Sequence, residues 1–302
     1  MRWDCLFVLP EWLQVWWDAF GGEADLSILS VRDRENVIGL APLHLKGNIA
    51  GFIGGIDVCD YQDFITIAGR EAEFFEVLLE YMGRQGIAQL DLGLVRPEST
   101  VLSYLVKTAE NRGCPVSISQ EDVALEMELP ETWDEYLGML NGKQRHEVKR
   151  KFRRLAEAGD INLHVVSDPA EFQHRQDAFF ELFKLSSSDK AAFMTDRMAS
   201  YFQALAGAMA RAKLLKLCML ELNGAPAGAA LCFDFNETMH LYNSGFDPRY
   251  QALSVGLLCK AMSIKNAIKS GRKKYNFLKG AETYKYRLGG KEVPLYSCKI
   301  RL

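Results

Sequence analysis

The sequence predicts an α/β protein, of the α+β mixed-sheet kind, built as two domains in tandem, each a mixed central sheet flanked by helices. Three observations carry this. First, the two halves read alike, as helix, hairpin, strand, helix, strand, and a helix placed between strands calls for a parallel pair in a mixed sheet. Second, two unrelated features recur at nearly one offset. "VIGLAPLHL" (37–45) parallels "PAGAALCFD" (226–234), with Gly39 and Gly228 189 residues apart. "RQGIAQLDLG" (84–93) parallels "KSGRKKYNFL" (269–278), with Gly86 and Gly271 185 apart. A common offset points to tandem duplication. Third, the alternating "VALEMELP" breaks at Pro130 and a new helical series follows. The boundary is placed between Glu121 and Thr132, giving domains at 1–125 and 126–302.

In the first half, Glu11 to Phe20 reads as a tryptophan-rich helix, and "ADLSILSVRD" and "NVIGLAPLHLKG" as strands around a polar turn at Asp33 to Asn36. "YQDFITIAG" reads as a further strand. "EAEFFEVLLEYMGRQG" is amphipathic, with Phe74, Phe75, Leu78, Leu79 and Met82 on one face and Gly86 past its end. "IAQLDLGLV" (strand), a helix opened by Pro97, and "CPVSIS" (strand) follow. In the second half, "TWDEYLGML" and "GKQRHEVKRKFRRLAEAG" read as helices and "INLHVV" as a strand. Asp168-Pro169 opens a helix, and Asp196 to Ala210 is another. "KLLKLCMLEL", "PAGAALCFDF" and "TMHLYNSGF" are three strands; a helix runs from Ser254 to about Ser270; "KKYNFLK" and "LYSCKIRL" finish as strands.

Composition narrows the function classes. Apolar residues are 48% and charged residues 25%, the balance of a soluble globular protein, and the formal charge is −3. Attraction to phosphates must therefore come from a local patch. No run has the length of a membrane span. The start lacks the small-x-small site of a signal peptide. The seven cysteines are scattered and odd in number, which fits reduced thiols in a cytoplasmic protein. The five histidines show no ligand spacing, so no metal is expected.

The join "GFDPRYQALSVGLLCKAM" (245–262) takes a strand into a helix that begins at Ser254, a residue suited to an N-cap. Gly256 leaves the first turn open to close approach. A helix N-terminus offers unpaired amides and a partial charge of roughly +0.5, which suits a pyrophosphate; the same residues also describe an ordinary capped helix with close helix–sheet packing. Counting back equally from Gly86 and Gly271 sets Gly69-Arg70-Glu71 opposite Ser254-Val255-Gly256. The first-half helix opens with Glu71, Glu73 and Glu76, which repel phosphate; the second-half helix carries no acid there. An anionic cofactor therefore belongs to the second half.

The segment Lys143 to Arg154 holds seven Lys/Arg and one acid, Glu147. Val148, Phe152 and Leu155 form an apolar stripe, while Arg145, Lys149 and Arg153 project together at i, i+4, i+8. They read as a solvated basic face or as an anchor for phosphates or an acidic acceptor. No aromatic platform interleaves them, and the pI near 6.0 argues against nucleic acid. "NFLKGAETYKYRLGG" (276–290) gathers Glu282, Tyr284, Lys285, Tyr286 and Arg287 where a strand ends. It reads either as an amphipathic hairpin, with the tyrosines on one side and Lys285 and Arg287 on the other, or as a reactive site. In "DYQDF" (60–64), Asp60 is the candidate to face a second domain.

These residues resemble the GNAT acyltransferase superfamily, which binds acyl-CoA pyrophosphate at a strand–loop–helix join with the pattern [RQ]-x-x-G-x-[GA]. Gln251-Ala252-Leu253-Ser254-Val255-Gly256 matches it, with Ser254 in place of the first glycine. The chain is more closely similar to the tandem-GNAT branch that contains the CelD-like proteins of polysaccharide biosynthesis and is related to the FemABX peptidyl transferases. Four segments carry this, in order: "DYQDF", the basic helix, "LYNSGFDPRYQALSVGLLCKAM" and "YNFLKGAETYKYR". Where FemABX proteins have an aromatic–Lys pair, Tyr286-Arg287 stands here, a departure that counts against aminoacyl-tRNA chemistry.

The resemblance implies a catalytic second domain and a degenerate first one that shapes the acceptor side. The acyl group would pass from acyl-CoA, or from an acyl carrier protein, to an amine or hydroxyl on a small molecule, glycan or peptide, with cell-envelope or polysaccharide biosynthesis as the implied setting. Gln251, Leu253, Ser254, Val255 and Gly256 would hold the CoA. Tyr284 or Tyr286 would be the acid and Glu282 the base, with Asp60 a further catalytic candidate. Lys285, Arg287, Arg145 and Lys149 would hold the acceptor. Backbone amides of a splayed strand would steady the oxyanion. Two alternatives stand beside this: a FemABX-like transferase using charged tRNA, and a non-catalytic GNAT pair that binds an anionic polymer or a protein partner.

Overall fold

The structure, a computed structural model, describes residue 1 and residues 3–302. The chain divides into two compact units, Met1–Ala124 with Val293–Leu302, and Leu125–Glu292.

The first unit contains α1 (Pro10–Phe20), β1 (Asp25–Asp33), β2 (Asn36–Lys46), β3 (Ile49–Phe52), β4 (Ile65–Thr66), α2 (Glu71–Arg84), β5 (Gln89–Val95), α3 (Val106–Asn111) and most of β6 (Val116–Glu128). Strands β1, β2 and β3 pair antiparallel in turn, and β5 then pairs parallel to β3 at Ile49↔Gln89. The apolar face read from α2 is buried: Phe74, Phe75, Leu78 and Met82 pack against Phe64, Leu90 and Leu92. Only Ile65–Thr66 of the expected "YQDFITIAG" strand is paired, against β2. Asp63 and Gln62 spend their side-chain polar groups elsewhere, Asp63 on Thr100 and Gln62 on the Ile53 carbonyl, as described below.

The second unit contains α4 (Trp133–Met139), α5 (Gly142–Glu157), β7 (Ile161–Val166), α6 (Pro169–Leu185), α7 (Ser188–Phe193), α8 (Asp196–Arg211), β8 (Leu215–Leu222), β9 (Ala225–Phe235), β10 (Thr238–Phe246), α9 (Val255–Lys269), β11 (Lys274–Lys279) and α10 (Thr283–Arg287). Strands β7 to β10 pair antiparallel in sequence, and β11 lies parallel to β10. The order β8-β9-β10-α9-β11 thus repeats β1-β2-β3-α2-β5, orientation included. The helices end alike as well: Gly86 and Gly271 have φ of +75° and +71°, the left-handed geometry that a glycine past a helix end adopts without a Cβ clash.

The last strand, β12 (Lys291–Arg301), pairs antiparallel with β5, at Ile300↔Leu90. Cys298 and Ile300 are buried in the first unit's core. Residues 293–302 therefore cluster with the first unit, whereas a cut by sequence order places them with the second. A strand's unit is set by its hydrogen-bonded neighbour, and a pairing so distant along the chain leaves no local sequence mark.

In the second unit, α6 and α9 cover opposite faces of the sheet. A Cβ on Gly245 would lie 2.4 Å from the backbone of Leu182 in α6. The next residue, Phe246, packs on Gly256 of α9, and its partner across the ladder, Gly228, faces Val255. Successive residues of a strand point to opposite faces, so the two helices are separated by the sheet.

Candidate active site

The candidate site lies where β10 and β11 part. Their parallel pairing covers Thr238↔Lys274, Met239↔Tyr275 and His240↔Asn276 and then ends, although β10 continues to Phe246 and β11 to Lys279. A register shift between Leu241 and Asn243, on the β9 side of β10, lies at the point of divergence; such a bulge bends its strand. Beyond it the facing edges of β10 and β11 enclose a wedge, open toward the C-terminal ends of both strands. Open α/β sheets place ligands at that end.

The chain leaves β10 through a short 3-10 segment, Pro248–Leu253, capped by Asp247, which accepts from the Arg249 amide at 2.9 Å and from its Nε at 2.8 Å. That guanidinium holds the Asp247 carboxyl below its ordinary value. Then α9 begins. Ser254 is not the side-chain N-cap that its type suggests. It sits at φ +58°, ψ +35°, makes no side-chain cap, and instead accepts a hydrogen bond at Oγ from Lys151 Nζ, 2.6 Å away. The left-handed conformation explains why a glycine is expected at this place in the pattern. Gly256 also answers to packing: a Cβ there would come 2.8 Å from the Phe246 ring.

Lys151 comes from α5, the basic helix. Its cap is a reciprocal pair, Asn141 with Gln144. Val148 and Leu155 are buried as the apolar stripe requires, and Phe152 meets Trp133 edge-on. Glu147 lies 3.3 Å from Lys151 and 2.8 Å from Arg150, whose hydrogen bond holds its carboxyl down to about 2. The cation that reaches the α9 N-terminus is therefore Lys151, which the i, i+4, i+8 reading passed over. Lys149 and Arg153 are exposed, and Arg145 makes only a 3.5 Å contact to the Gly138 carbonyl.

The Tyr-Lys-Tyr-Arg run is helical, not a hairpin. α10 is a single turn closed by the C-terminal motif of two reversed bonds: Gly290 N–H to Lys285 O at 2.9 Å and Gly289 N–H to Tyr286 O at 3.0 Å, with Gly289 at φ +94°. Tyr136 of α4 donates to Leu288 O at 3.0 Å, and Gln144 of α5 donates to Tyr286 O at 2.8 Å. The double glycine after the run was the sequence signal for this turn.

Helical geometry separates the four side chains. Lys285 points inward and is 1% exposed. Its Nζ donates to the carbonyls of Leu278 (3.0 Å), Lys279 (2.5 Å) and Gly280 (3.0 Å) and lies 2.9 Å from a Glu282 oxygen. It therefore does not hold an acceptor carboxylate; its donors organise the turn after β11, where Leu278 is itself left-handed at φ +62° with its amide on Asn276 Oδ1. Tyr286 donates to Glu292, which raises its hydroxyl above the ordinary tyrosine value. Arg287 is exposed. Tyr284 turns the other way, and the Lys260 ammonium of α9 stands 4.5 Å from its ring centroid.

Of the expected site residues, the structure thus brings Glu282 to Lys285, Tyr284 to α9, and Ser254, Val255 and Gly256 to Lys151. Gln251 is exposed and supplies a carbonyl to the Ser254 amide at 2.9 Å; Leu253 ends the 3-10 segment. Asp60 belongs to the first unit, half-buried in a bend. Its neighbour Asp63 is a local fastener: it accepts from Thr100 Oγ1 at 2.6 Å, Thr100 N at 2.8 Å and Phe64 N at 2.9 Å, while burial pushes its carboxyl up to about 6. Gln62 likewise donates to Ile53 O at 2.7 Å. Among the described residues no group of three or more His, Cys, Asp or Glu could hold a metal ion, and no helix is long and apolar enough to cross a membrane.

Comparison with known proteins matches residues 142–286 to a family described as an acetyltransferase (GNAT) domain. No curated protein matches the sequence. Among solved structures, FemX superposes with a TM-score of 0.66 at 12% identity, over 97% of this chain and 91% of that one. The L-PGS of Bacillus licheniformis gives 0.60 at 9% identity, over 98% and 93%. The C-terminal domain of an Agrobacterium fabrum protein, provisionally described as a lysylphosphatidylglycerol synthetase, gives 0.60 at 10% identity, over 95% and 90%. At such identities the likeness is one of fold. The second unit is similar to GNAT acetyltransferase domains, within a chain that shares its fold with FemX and L-PGS.

Proposed function

We propose that the second unit transfers an acyl group from a thioester of CoA to an amine or hydroxyl acceptor. The observation that carries this reading is the wedge: β10 and β11 stop pairing after His240↔Asn276, and α9 starts one short turn later with Lys151 on Ser254. The first amides of a helix have no intrahelical partner. With the Lys151 ammonium beside them, they suit a diphosphate. Backbone amides of β10 past the last β10–β11 pair would steady the oxyanion formed when the acceptor attacks the carbonyl. Tyr284 would return a proton to the leaving thiolate, and Glu282 would receive the acceptor's proton. The first unit, whose matching helix opens on Glu71 and Glu73, would be the copy that lost the anion site. A role in cell-envelope or polysaccharide biosynthesis and a CelD-like ancestry remain part of this proposal, as does an acyl carrier protein in place of CoA.

A second reading has support of its own. Lys190 occupies the Ser244 carbonyl on β10, at 2.5 Å, so a pantetheine chain lying along β10 would have to displace it. An aromatic–lysine pair also exists, as Tyr284-Lys285, two residues before Tyr286-Arg287, so the departure at Arg287 no longer counts against a FemX-like use of aminoacyl-tRNA. A thermal-shift series decides. CoA and acyl-CoAs that raise the melting temperature saturably support the first reading. Silence toward all of them, with tight and salt-sensitive binding of charged tRNA, would replace it with the second. Silence toward both would favour a non-catalytic pair.

A further inference from the structure

Two ammonium groups lie beside the wedge, one reaching β10 from α7 and the other carried by α9. Lys190, on α7, extends past the Phe183 ring of α6 at 4.8 Å to donate to Ser244 O, which lies beyond the last β10–β11 pair. Lys260, on α9, is 7% exposed; its Nζ donates to Gly256 O at 3.1 Å and stands over Tyr284. The two charges feel each other. Burial first, and the Lys190 charge next, bring Lys260 down to about 8; Lys190 is lowered by its own burial. Among the described residues, neither amine has a carboxylate within ion-pair distance. Glu282 is the acid whose field reaches both, and it is engaged with Lys285 at 2.9 Å.

Each ammonium has three N–H donors and one carbonyl partner. A buried charge without a counter-ion is unfavourable, and a bound ligand of opposite charge would relieve that cost. Glu282, already paired with Lys285, still stands near enough to oppose a second negative charge, so a monoanion suits this place better than a dianion. We propose that a substrate carboxylate binds in this wedge, bridged between Lys190 and Lys260. This rests on the acyl-transfer reading and specifies its substrate class. The carboxylate has two sources, the far end of a dicarboxylic acyl group or an acidic acceptor.

Calorimetry on the full chain at pH 7 separates them. One arm compares succinyl-CoA with butyryl-CoA; the other, at saturating CoA, compares succinate with succinamide. The expected result is a preference of about tenfold for the charged member in one arm, lost in Lys190→Gln and in Lys260→Met. Lys151→Gln should weaken every CoA ligand alike and leave the preference intact. Met matches the lysine stem and removes a buried charge, so Lys260→Met keeps a folded reference, checked by its melting curve. No preference in either arm, or a preference that survives both substitutions, overturns the proposal and leaves acyl transfer standing. If no CoA species binds, acyl transfer falls. Succinate against succinamide without CoA then decides the carboxylate site: a melting shift with succinate alone that Lys260→Met abolishes upholds it, and equal shifts overturn it.

Discussion

Lys151 Nζ lies 2.6 Å from Ser254 Oγ, so a side chain from the basic helix α5 ends at the first turn of α9. An ammonium there adds a full charge to the partial positive charge that the helix N-terminus already carries. Lys151→Gln should weaken CoA binding by about tenfold, the worth of one charge-assisted contact of about 1.4 kcal/mol. Its other partner is Glu147, at 3.3 Å and 39% exposed, so stability without ligand should change by less than about 1 kcal/mol. Titration of CoA into both proteins, with a urea melt as control, measures the two effects. Unchanged affinity would remove Lys151 from the site.

Ser254 takes up left-handed backbone at φ +58°, which burdens any residue with a Cβ by about 1 kcal/mol and glycine by almost nothing. Ser254→Gly should therefore raise stability by up to about 1 kcal/mol, less whatever the Lys151 bond contributes. Ser254→Val, branched at Cβ, should lower it by about 1–2 kcal/mol. Urea denaturation of the pair checks the sign. If glycine is the more damaging replacement, the Lys151 bond outweighs the strain.

The sequence made most of this frame legible. α2 was readable from an apolar face that repeats at helical spacing, α9 from Ser254 and Gly256 at its start, and each ends on a glycine that is left-handed. The Gly256 contact with Phe246 agrees with a pattern that demands a bare residue there. Three features were not readable, for reasons of distance or direction. β12 belongs with β5, about 200 residues away, through backbone bonds that any residue type can make. Lys151 and Lys260 look like any other lysines in sequence, because burial depends on which face the fold covers. Tyr284 to Arg287 alternate as a strand would, and only the Gly289-Gly290 stop marks a helical turn.

Lys285 and Glu282 form an ion pair of unequal partners: Lys285 is 2% exposed at its side chain and Glu282 56%. Removing the buried member leaves the Leu278, Lys279 and Gly280 carbonyls without their donor. Lys285→Met should thus lower stability by about 3 kcal/mol or more. Glu282→Gln should lower it by under about 1 kcal/mol, because water screens the exposed carboxylate. Equal losses in urea melts would show that the pair, not the carbonyl ring, holds the turn after β11.

Lys260 makes stability depend on pH with a definite sign. Its amine is lowered from 10.5 to about 8, first by burial and then by Lys190, against the opposing Glu282 carboxylate. Between those values the unfolded chain binds the proton and the folded chain does not, so this group's contribution to stability rises with pH across that window. Below about pH 8 it is a steady penalty of about 3 kcal/mol. Cysteines 218, 232 and 259 act the other way, since burial raises their thiols and the folded state resists their ionisation. The wild-type curve alone therefore mixes both signs, and the difference between wild type and Lys260→Met isolates the lysine. The methionine variant should be the more stable below pH 8, and its advantage should shrink toward pH 10.5. Urea melts from pH 6.5 to 10 measure it. A constant difference across the range would mean that Lys260 is solvated in the folded protein and carries no penalty for an anion to relieve.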